Sequence, residues 1–389
     1  MKKTLISVLA LVLAMVMILS ACGGAGAGSK KDSDLENINV ALEFCLSGGA
    51  AWVGSLMKAA TEVALSDYAD DFAALGYKIN PVYSDHEASN DTAALNFTKD
   101  VELSKAVAVI SSFTGPVVTQ AAMAGDYKTL LLNPGAQGDQ VIGLSEYLFT
   151  TVPTVSVVAN ALTDYLYNVE GYRKLALLGD ASSTAAAHHD NVKAAWQALG
   201  GEIVADVETA ADATDFMSVC SQILDAGAEI VLLANSDDSL GIRQMTQFKQ
   251  MGAPEGLAFI NLGTGNRAWA AEFSNPSYVS SQKVYTTDEV IQKYESEFMV
   301  EGYPYEKCAT YITNYYNSVG ILYQLVKYCH DNNMTITGEN LKTAFEKLGT
   351  VDIMGGSISL IEGNIVECPV EIYKGIADKV DLVSTYYEK

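Results

Sequence analysis

Short apolar runs alternate with helix-length segments along most of the chain. The runs are rich in Val, Ile and Leu, a pattern typical of parallel strands that are buried on both faces. Strands are predicted at Ile38–Leu42, Lys78–Tyr83, Ala106–Ile110, Thr129–Leu132, Lys174–Leu178, Glu202–Val207, Glu229–Ala234 and Leu257–Asn261. Helices are predicted at Gly54–Tyr68, Ala88–Ser104, Pro116–Ala124, Val155–Val169, Ala187–Leu199, Asp215–Ala226 and Ser239–Met251. This alternation predicts an α/β protein with two sheets built from βαβ units.

The last part of the chain departs from this alternation. It contains two predicted helices and a β-rich tail, at Thr310–His330, Glu339–Leu348 and Gly356–Tyr373. A change of lobe is predicted near Thr150–Pro153. We assign residues 38–152 and 285–345 to the first lobe, and residues 153–284 and 346–389 to the second. A body of about 350 residues is long enough for two such lobes.

The first residues have the pattern of an export signal. Lys2 and Lys3 precede an apolar, small-residue stretch that ends at Cys22. Leu19-Ser20-Ala21-Cys22 resembles the lipobox of bacterial lipoproteins, which are cleaved before the cysteine and lipidated on it. We therefore predict a lipoprotein signal peptide at residues 1–21, lipid on Cys22 and a Gly-rich flexible tether at residues 22–37. The alternative is a retained membrane-spanning anchor.

Charge and cysteine content narrow the function classes. A net charge of -23 argues against binding of nucleic acid through a basic surface. Five cysteines besides Cys22 show no zinc-ligand spacing, and buried free thiols are predicted for them. His188 and His189 are adjacent, so on a helix they point about 100° apart and make a poor metal pair. No metal site and no cofactor are predicted.

Two loops of the first lobe are candidate ligand sites, because ligands bind at the carboxyl ends of strands in open α/β sheets. Ser112, Phe113, Thr114 and Gly115 follow one predicted strand, and Pro116 suits the first turn of the next helix. Such a helix start can hold a carboxylate or another anion. The alternative is plain helix capping.

The second candidate loop contains Gly135, Ala136 and Gln137. Its glycine lets backbone approach a ligand, and the glutamine offers both a donor and an acceptor. The alternative is an ordinary turn. Trp52 opens the first helix among small residues, where it either stacks on a ligand or packs in the core.

The matching loops of the second lobe hold the remaining candidates. Thr184, Asn235 and Thr264 follow three of its predicted strands. Asp237, or Asp238 beside it, could meet a ligand ammonium, or it could cap the helix that starts near Ser239.

Enzyme motifs are weak or missing. Residues 263–268 fit G-x-G-x-x-G/A, but they lie late in the chain and lack a supporting helix and acidic strand end. The sequence has no G-x-S-x-G and no Walker loop. We therefore predict no catalytic residues and no enzyme.

The ordered set of loops and strands resembles a known family. Its carriers are Tyr83-Ser84-Asp85 with Asn90, Ala93 and Ala94, then Ala106–Gly115, Leu130–Ala136, Gly171–Leu178, Asp215-Phe216, Tyr311–Tyr323 and Gly355–Ile358 with Glu362–Asn364. They resemble the type I periplasmic binding proteins, most of all the leucine/isoleucine/valine-binding family of ABC importers. The resemblance covers about residues 38–385.

This resemblance implies a fold of two Rossmann-like lobes joined by a hinge. In the family, the two first-lobe loops hold the carboxylate of the ligand, which gives that role to Ser112, Thr114, Gly115, Ala136 and Gln137. An aromatic residue closes over the ligand, and Trp52 stands in place of the commoner tyrosine. Thr184 stands near a frequent tyrosine of the family. The acid that meets the ammonium of an amino acid has no counterpart at Gly263–Gly265.

The implied function is capture of a small polar solute for an ABC importer, such as a branched-chain amino acid or a related amide or carboxylate. The implied partners are a membrane permease and its separate ATPase. The protein is predicted to be exported and lipid-anchored on the outer face of the cell membrane. The alternatives are a ligand-sensing receptor subunit of a signalling system and a secreted α/β enzyme that uses the Gly263 loop and Asp180.

Overall fold

Two parallel-rich sheets with flanking helices organise the chain, as the sequence predicts. The computed structural model describes residues 35–210, 212–235, 238–262, 274–377 and 379–386. The predicted signal peptide, Cys22 and nearly all of the predicted tether lie outside these residues. No helix in the described part of the chain is long and apolar enough to cross a membrane.

The strands are numbered in chain order. They are β1 Glu36–Phe44, β2 Tyr77–Asp85, β3 Ala108–Ser111, β4 Leu130–Asn133, β5 Leu148–Thr150, β6 Lys174–Asp180, β7 Glu202–Thr209, β8 Ile230–Ala234, β9 Ala258–Leu262, β10 Ser277–Gln282, β11 Thr350–Ile353, β12 Gly356–Ile361, β13 Ile365–Glu367, β14 Val370–Ile376 and β15 Lys379–Tyr386.

The helices are numbered in the same way. They are α1 Ala51–Asp67, α2 Ala69–Leu75, α3 Asn90–Glu102, α4 Thr114–Tyr127, α5 Val155–Asp164, α6 Ser183–Ala198, α7 Met217–Asp225, α8 Asp238–Gln250, α9 Asp288–Lys293, α10 Tyr305–Asp331 and α11 Gly338–Leu348. A π-helical turn follows α5 at Tyr165–Glu170 and another follows α9 at Tyr294–Phe298, and a 3-10 turn lies at Asp139–Val141.

The first sheet has the order β11-β12-β13-β5-β4-β3-β1-β2. The six neighbouring strands β2, β1, β3, β4, β5 and β13 pair parallel. At the far edge, β12 pairs antiparallel with both β13 and β11. The second sheet has the order β15-β14-β10-β9-β8-β6-β7, parallel from β10 to β7 and antiparallel at β14 and β15. All residues of β3, β4, β8 and β9 are buried, as parallel strands covered by helices on both faces must be.

The chain passes between the two sheets three times, at residues 151–154, 283–287 and 368–369. The third passage corrects the predicted boundary, because β11, β12 and β13 belong to the first sheet rather than to a second lobe of 346–389. The turn signal at Glu362-Gly363-Asn364 made the whole tail resemble one unit. Pro369 has no N–H to donate to a neighbouring strand of the sheet. Its carbonyl oxygen accepts a hydrogen bond from the N–H of Lys283, in the second passage, at 2.8 Å.

Several elements escaped the sequence pattern, among them the strands β5, β10, β11 and β15, the helices α2 and α9, and the start of the long helix. The strand β10 has mostly polar side chains, yet all six of its residues are buried. The strand β5 has only three residues, which is too short for a periodic signal. The long helix begins at Tyr305, directly after Pro304, and its backbone is non-helical at Cys308.

Candidate functional site

The loops that follow β1, β3 and β4 are neighbours, because β3 lies between the other two strands in the sheet. Parallel strands end at one edge, so the loops share that edge. This arrangement brings together the predicted first-lobe residues: Trp52, Ser112, Phe113, Thr114, Gly115, Gly135, Ala136 and Gln137. Their individual roles differ from one another.

The loop after β3 turns sharply into α4. Phe113 has a φ of +61°, a conformation that costs a bulky residue on the order of 1–3 kcal/mol and that is often found at functional sites. No side chain caps the start of α4. A Cβ added to Gly115 would lie 2.3 Å from the Oδ1 atom of Asn90, so glycine is required for this approach to α3. Thr114 and the first N–H groups of α4 can therefore hold an anion.

Ser112 lies beneath this loop and is fully buried. Its Oγ atom is 2.8 Å from the Nε2 atom of His86 and 3.4 Å from the carbonyl oxygen of Glu43. Ser112 therefore makes supporting contacts, and its contact with a ligand stays a prediction. His86 is an isolated histidine in the sequence, where it is predicted to be solvated or satisfied. Its ring also makes an edge contact with the Phe113 ring, at a centroid distance of 5.6 Å.

The hydrogen bonds of His86 fix its tautomer. The Ala88 N–H donates to Nδ1 at 3.0 Å, so Nδ1 carries no proton and Nε2–H donates to Ser112. Burial lowers the pKa of His86 to about 4, although Asp85 nearby opposes this effect. The neutral ring thus holds the serine in place, and a second proton would face the Ala88 N–H.

We expect His86 to remain neutral at pH 5, where a histidine of an unfolded chain is mostly protonated. Because its folded pKa is lowered, the stability it provides is present above pH 6.5 and is lost as the pH falls towards about 4. Ring nitrogen NMR shifts should report an Nε2–H tautomer at pH 5. The variant His86→Gln should lose part of the acid dependence of urea unfolding. A doubly protonated ring at pH 6 would contradict this expectation.

Asn133 at the end of β4 shapes the second loop. It is fully buried, and its Nδ2 atom donates to the Ala136 carbonyl at 2.8 Å and to the Thr150 Oγ1 at 3.1 Å. Its Oδ1 atom accepts from the N–H groups of Gly135 at 3.2 Å and Ala136 at 2.7 Å. One side chain therefore fixes three backbone groups of two loop residues.

Gly135 and Ala136 are packed tightly against neighbouring residues of the first lobe. A Cβ added to Gly135 would lie 2.4 Å from the Tyr315 hydroxyl oxygen, and Ala136 is 2% exposed. The Tyr315 hydroxyl itself donates to the Ser111 carbonyl at 3.3 Å. The helix α10 thus passes beneath both loops and ties them together.

Gln137 holds the first passage between the lobes. Its Nε2 atom donates to the Pro153 carbonyl at 3.1 Å, and its own carbonyl accepts the Val155 N–H at 2.8 Å. Asp139 adds a second clamp, since its Oδ1 atom accepts from the Ser156 Oγ at 2.5 Å. The amide predicted to contact a ligand is therefore engaged at the hinge.

Trp52, Tyr303 and Tyr311 form an aromatic wall, of which only Trp52 was predicted as a site residue. Its ring stacks on Tyr303 at a centroid distance of 5.0 Å and meets the edge of Tyr311 at 6.1 Å. Trp52 is 41% exposed, so the core alternative is excluded and an aromatic face remains open to a ligand. Tyr303 and Tyr311 were missed because they lie about 250 residues away, in and before α10.

The second-lobe candidates are less completely described. Asn235 and Gln244 exchange hydrogen bonds of 2.8 and 3.3 Å, which places the Asn235 amide in an internal pair. Thr184 lies in the first turn of α6. Asp237 and Thr264 lie outside the described residues and stay predictions. Asp180 is buried and accepts the Ser182 N–H at 2.8 Å, a structural bond at the start of α6.

Two cavities occur elsewhere in the molecule. One, of about 20 Å³, lies at the hinge among Thr151, Gln282, Asn317 and Cys368, and it has room for about one water molecule. The other is an open groove of about 380 Å³ at the opposite edge of the second sheet, near Glu229. Neither is lined by a predicted ligand residue, and a site formed by lobe closure need not be a deep cavity in one lobe.

Metal and disulfide chemistry find no support in the described part of the chain. Its histidine, cysteine and acidic side chains form no group of three or more that could hold a metal ion. All five described cysteines are buried free thiols, as the sequence predicts. They are Cys45, Cys220, Cys308, Cys329 and Cys368.

Comparisons with known proteins agree with this architecture. The sequence model of the periplasmic binding protein family matches residues 37–376. No curated protein sequence matches the chain. The leucine-binding protein LivK from Thermotoga maritima is 14% identical, with 90% of this chain and 98% of that chain covered and a TM-score of 0.71.

Two further solved structures are similar. LivJ from Streptococcus pneumoniae, a branched-chain amino acid transporter binding protein in complex with isoleucine, is 18% identical, with 91% of this chain and 100% of that chain covered and a TM-score of 0.69. A solute-binding protein of an ABC transporter from R. palustris, in complex with benzoate, is 16% identical, with 90% and 96% covered and a TM-score of 0.70.

The resemblance inferred from the sequence is thereby confirmed. Matching loops, two parallel-rich sheets and three passages between them belong to the type I fold. The family model spans nearly the whole described chain. This chain belongs to the periplasmic binding protein family, a family of substrate-binding proteins.

Proposed function

We propose that this chain is an exported lipoprotein that binds a small carboxylate solute between its lobes and delivers it to an ABC permease. The observation that carries the proposal is the start of α4. There a strained Phe113, an uncapped helix N-terminus and the hydroxyl of Thr114 stand together at the carboxyl edge of the first sheet. Free N–H groups at a helix start favour an anion, such as a carboxylate.

The ligands of two similar proteins support a carboxylate. Isoleucine and benzoate, named in the structures of LivJ and the R. palustris protein, share a carboxylate and an apolar body but differ in everything else. The first-lobe loops would take the carboxylate, and the aromatic wall of Trp52, Tyr303 and Tyr311 would contact the apolar body. A ligand of this chain would then share both parts.

Closure of the second lobe would complete the site. Thr184, Asp237 and Thr264 are its proposed contributors, and Asp237 or Asp238 would meet an ammonium if the solute is an amino acid. A solute that contacts both lobes favours the closed state by its differential affinity for that state. No bond is made or broken in such a step, and the closed form would dock on the permease.

The lipid on Cys22 would serve delivery as well as retention. A Gly-rich tether of residues 22–35, two residues shorter than predicted because β1 begins at Glu36, would keep the trap within a short distance of the membrane that holds the permease. Confinement of this kind raises the effective concentration of one partner for the other. The proposed location is therefore the outer face of the cell membrane.

A thermal-shift panel tests the proposal with matched pairs of compounds. Leucine, isoleucine and benzoate would be compared with leucinol, isoleucinol and benzyl alcohol, which lack the carboxylate. At a hundredfold excess over Kd, a true solute should stabilise the protein by about 2.7 kcal/mol, and its alcohol should not. Scattering should show a more compact molecule with the same compounds.

Variants of Trp52 separate solute binding from folding. Trp52→Ala should weaken binding of the identified solute at least about tenfold, because stacking and burial against the wall are lost, while Trp52→Phe should retain most of it. Unfolding of both variants in urea should stay close to that of the parent protein, since Trp52 is half exposed. A panel in which no carboxylate shifts the melting temperature would sink the proposal.

A further inference from the structure

Five polar side chains are buried together in the core of the first lobe, away from the solute loops. We call them the acid cluster: Glu43, Ser84, Asp100, Ser111 and Gln120. Glu43 on β1 stands in register with Ser84 on β2 and Ser111 on β3, so the three side chains share one face of the sheet. Asp100 on α3 and Gln120 on α4 meet them from the helix layer.

Two short hydrogen bonds hold the acid cluster. The Gln120 Nε2 donates to the Glu43 Oε2 at 2.7 Å, and the Ser84 Oγ donates to the Asp100 Oδ2 at 2.6 Å. Each carboxyl group thus has one oxygen bonded. Four further oxygens have no hydrogen-bond partner and no contact with solvent: Glu43 Oε1, Asp100 Oδ1, Gln120 Oε1 and Ser111 Oγ.

The cluster has no positive charge to balance its acids. Neither Glu43 nor Asp100 forms an ion pair with any described Lys, Arg or His side chain. Burying an unpaired carboxylate costs several kcal/mol, and two of them side by side also repel each other. One proton removes the repulsion and the burial cost of one of the two charges, and it also supplies a missing donor, since a carboxylic acid can donate to the free oxygen of its neighbour.

We propose that Glu43 and Asp100 form a buried proton-binding site, in which the pair retains a proton at neutral pH that the unfolded chain releases. The protonated Glu43 donates a hydrogen bond from Oε1 to one of the unbonded oxygens of the acid cluster. Among these oxygens, Asp100 Oδ1 is the one that carries charge. A proton shared in this way replaces the repulsion between the two acids with a hydrogen bond.

The surroundings of the pair contain few other ionisable groups. Burial raises the pKa of Asp100, against the smaller opposing effects of the Ser84 hydrogen bond and of Lys99, its exposed neighbour on α3. Ser84, Ser111 and Gln120 face the pair from β2, β3 and α4, and none of them titrates in this range. Asp85 ends β2 and His86 follows it. Their side chains accept from the N–H groups of Leu46, Glu87 and Ala88, and the His86 ring also bonds to Ser112.

The pH dependence follows from the direction of the shift. Burial, and next the Asp100 charge, raises the pKa of Glu43 from 4.5 to about 9, against the opposing Gln120 bond. The stability that this proton provides is therefore fully present below pH 4.5 and is lost as the pH rises towards about 9. Within that window the unfolding equilibrium constant should rise by up to about tenfold per pH unit from this group.

The experiment compares the parent protein with Glu43→Gln and with a control, Glu36→Gln. Glu36 is an exposed residue of the same strand. Urea unfolding from pH 5 to pH 9 should show a decline of stability in the parent and in E36Q, and a clearly flatter profile in E43Q. Infrared spectra at pH 7 should show the C=O band of a protonated carboxylic acid in the parent and in E36Q, and its loss in E43Q.

Two results would overturn the proposal. One is an infrared spectrum of the parent protein at pH 7 without a protonated carboxylic acid band, a measurement that stands even if E43Q fails to fold. The other is a stoichiometric metal ion in the purified protein whose removal by EDTA lowers the melting temperature in the parent but not in E43Q. That result would assign the four oxygens to a cation instead of a proton.

Discussion

Replacing Gly54 with alanine should destabilise the protein by about 3 kcal/mol or more, although alanine is the better helix former. Gly54 lies in α1 and packs against the backbone just after β1. A Cβ there would lie 1.9 Å from the Cys45 carbonyl oxygen and 2.5 Å from the carbonyl carbon. Because these atoms belong to the backbone, no side-chain rotation relieves the clash, and the helix must move away from the sheet.

Gly125 in α4 provides a matched control. It is also a helical glycine, but a Cβ there would meet nothing within 4 Å. Gly125→Ala should therefore stabilise the protein by about 0.5 kcal/mol, through the lower entropy of the unfolded chain. Urea unfolding midpoints measure both effects. Equal midpoints for G54A and the parent protein would show that α1 does not need this close approach.

Replacing Asn133 with alanine should destabilise the first lobe by about 3 kcal/mol and weaken solute binding by at least about tenfold. The substitution removes four hydrogen bonds at once and leaves the buried N–H of Ala136 and the Thr150 hydroxyl without them. An unsatisfied buried group costs about 1–3 kcal/mol, so this is the most demanding polar position of the loop.

A surface asparagine of the same lobe isolates the effect of burial. Asn80 on β2 is exposed and its amide makes one bond, to the Asn39 Oδ1 at 2.8 Å. Asn80→Ala should change the free energy of unfolding by no more than about 0.5 kcal/mol. Urea unfolding and solute titration would be measured for both variants. If N133A unfolded like N80A, the loop after β4 would be held by its other contacts.

The fold was largely predictable because its buried parallel strands are continuous apolar runs. The strands β3, β4, β8 and β9 lie within one to three residues of their predicted bounds. The strand β10 was not predictable in this way, since its serines and glutamine carry no apolar signal and are buried only through its neighbours β9 and β14. The same limit applies to β11, β12 and β13, whose sheet depends on contacts with a strand more than 200 residues earlier.

The site was predictable as a set of loops but not as a set of contacts. Position after a strand identified Thr114 and Gly115 and also Ser112 and Gln137, yet the last two are engaged by His86 and by the Pro153 carbonyl. Sequence position cannot tell whether a side chain points out of a loop or beneath it. Tyr303 and Tyr311 carried no local signal, because their relation to Trp52 is created only by the packing of α10 against α1.

The three passages between the sheets have a mechanical consequence. A single linker would leave the lobes free to rotate about several axes, and binding would have to freeze all of them. Three separate connecting segments, at residues 151–154, 283–287 and 368–369, restrict the relative motion of the lobes chiefly to one bending motion. Gln137 and Asp139 stabilise the first segment through their hydrogen bonds to Pro153 and Ser156. In the proposed closure, little rotational entropy would then be lost, and more of the contact energy would appear as affinity for the solute.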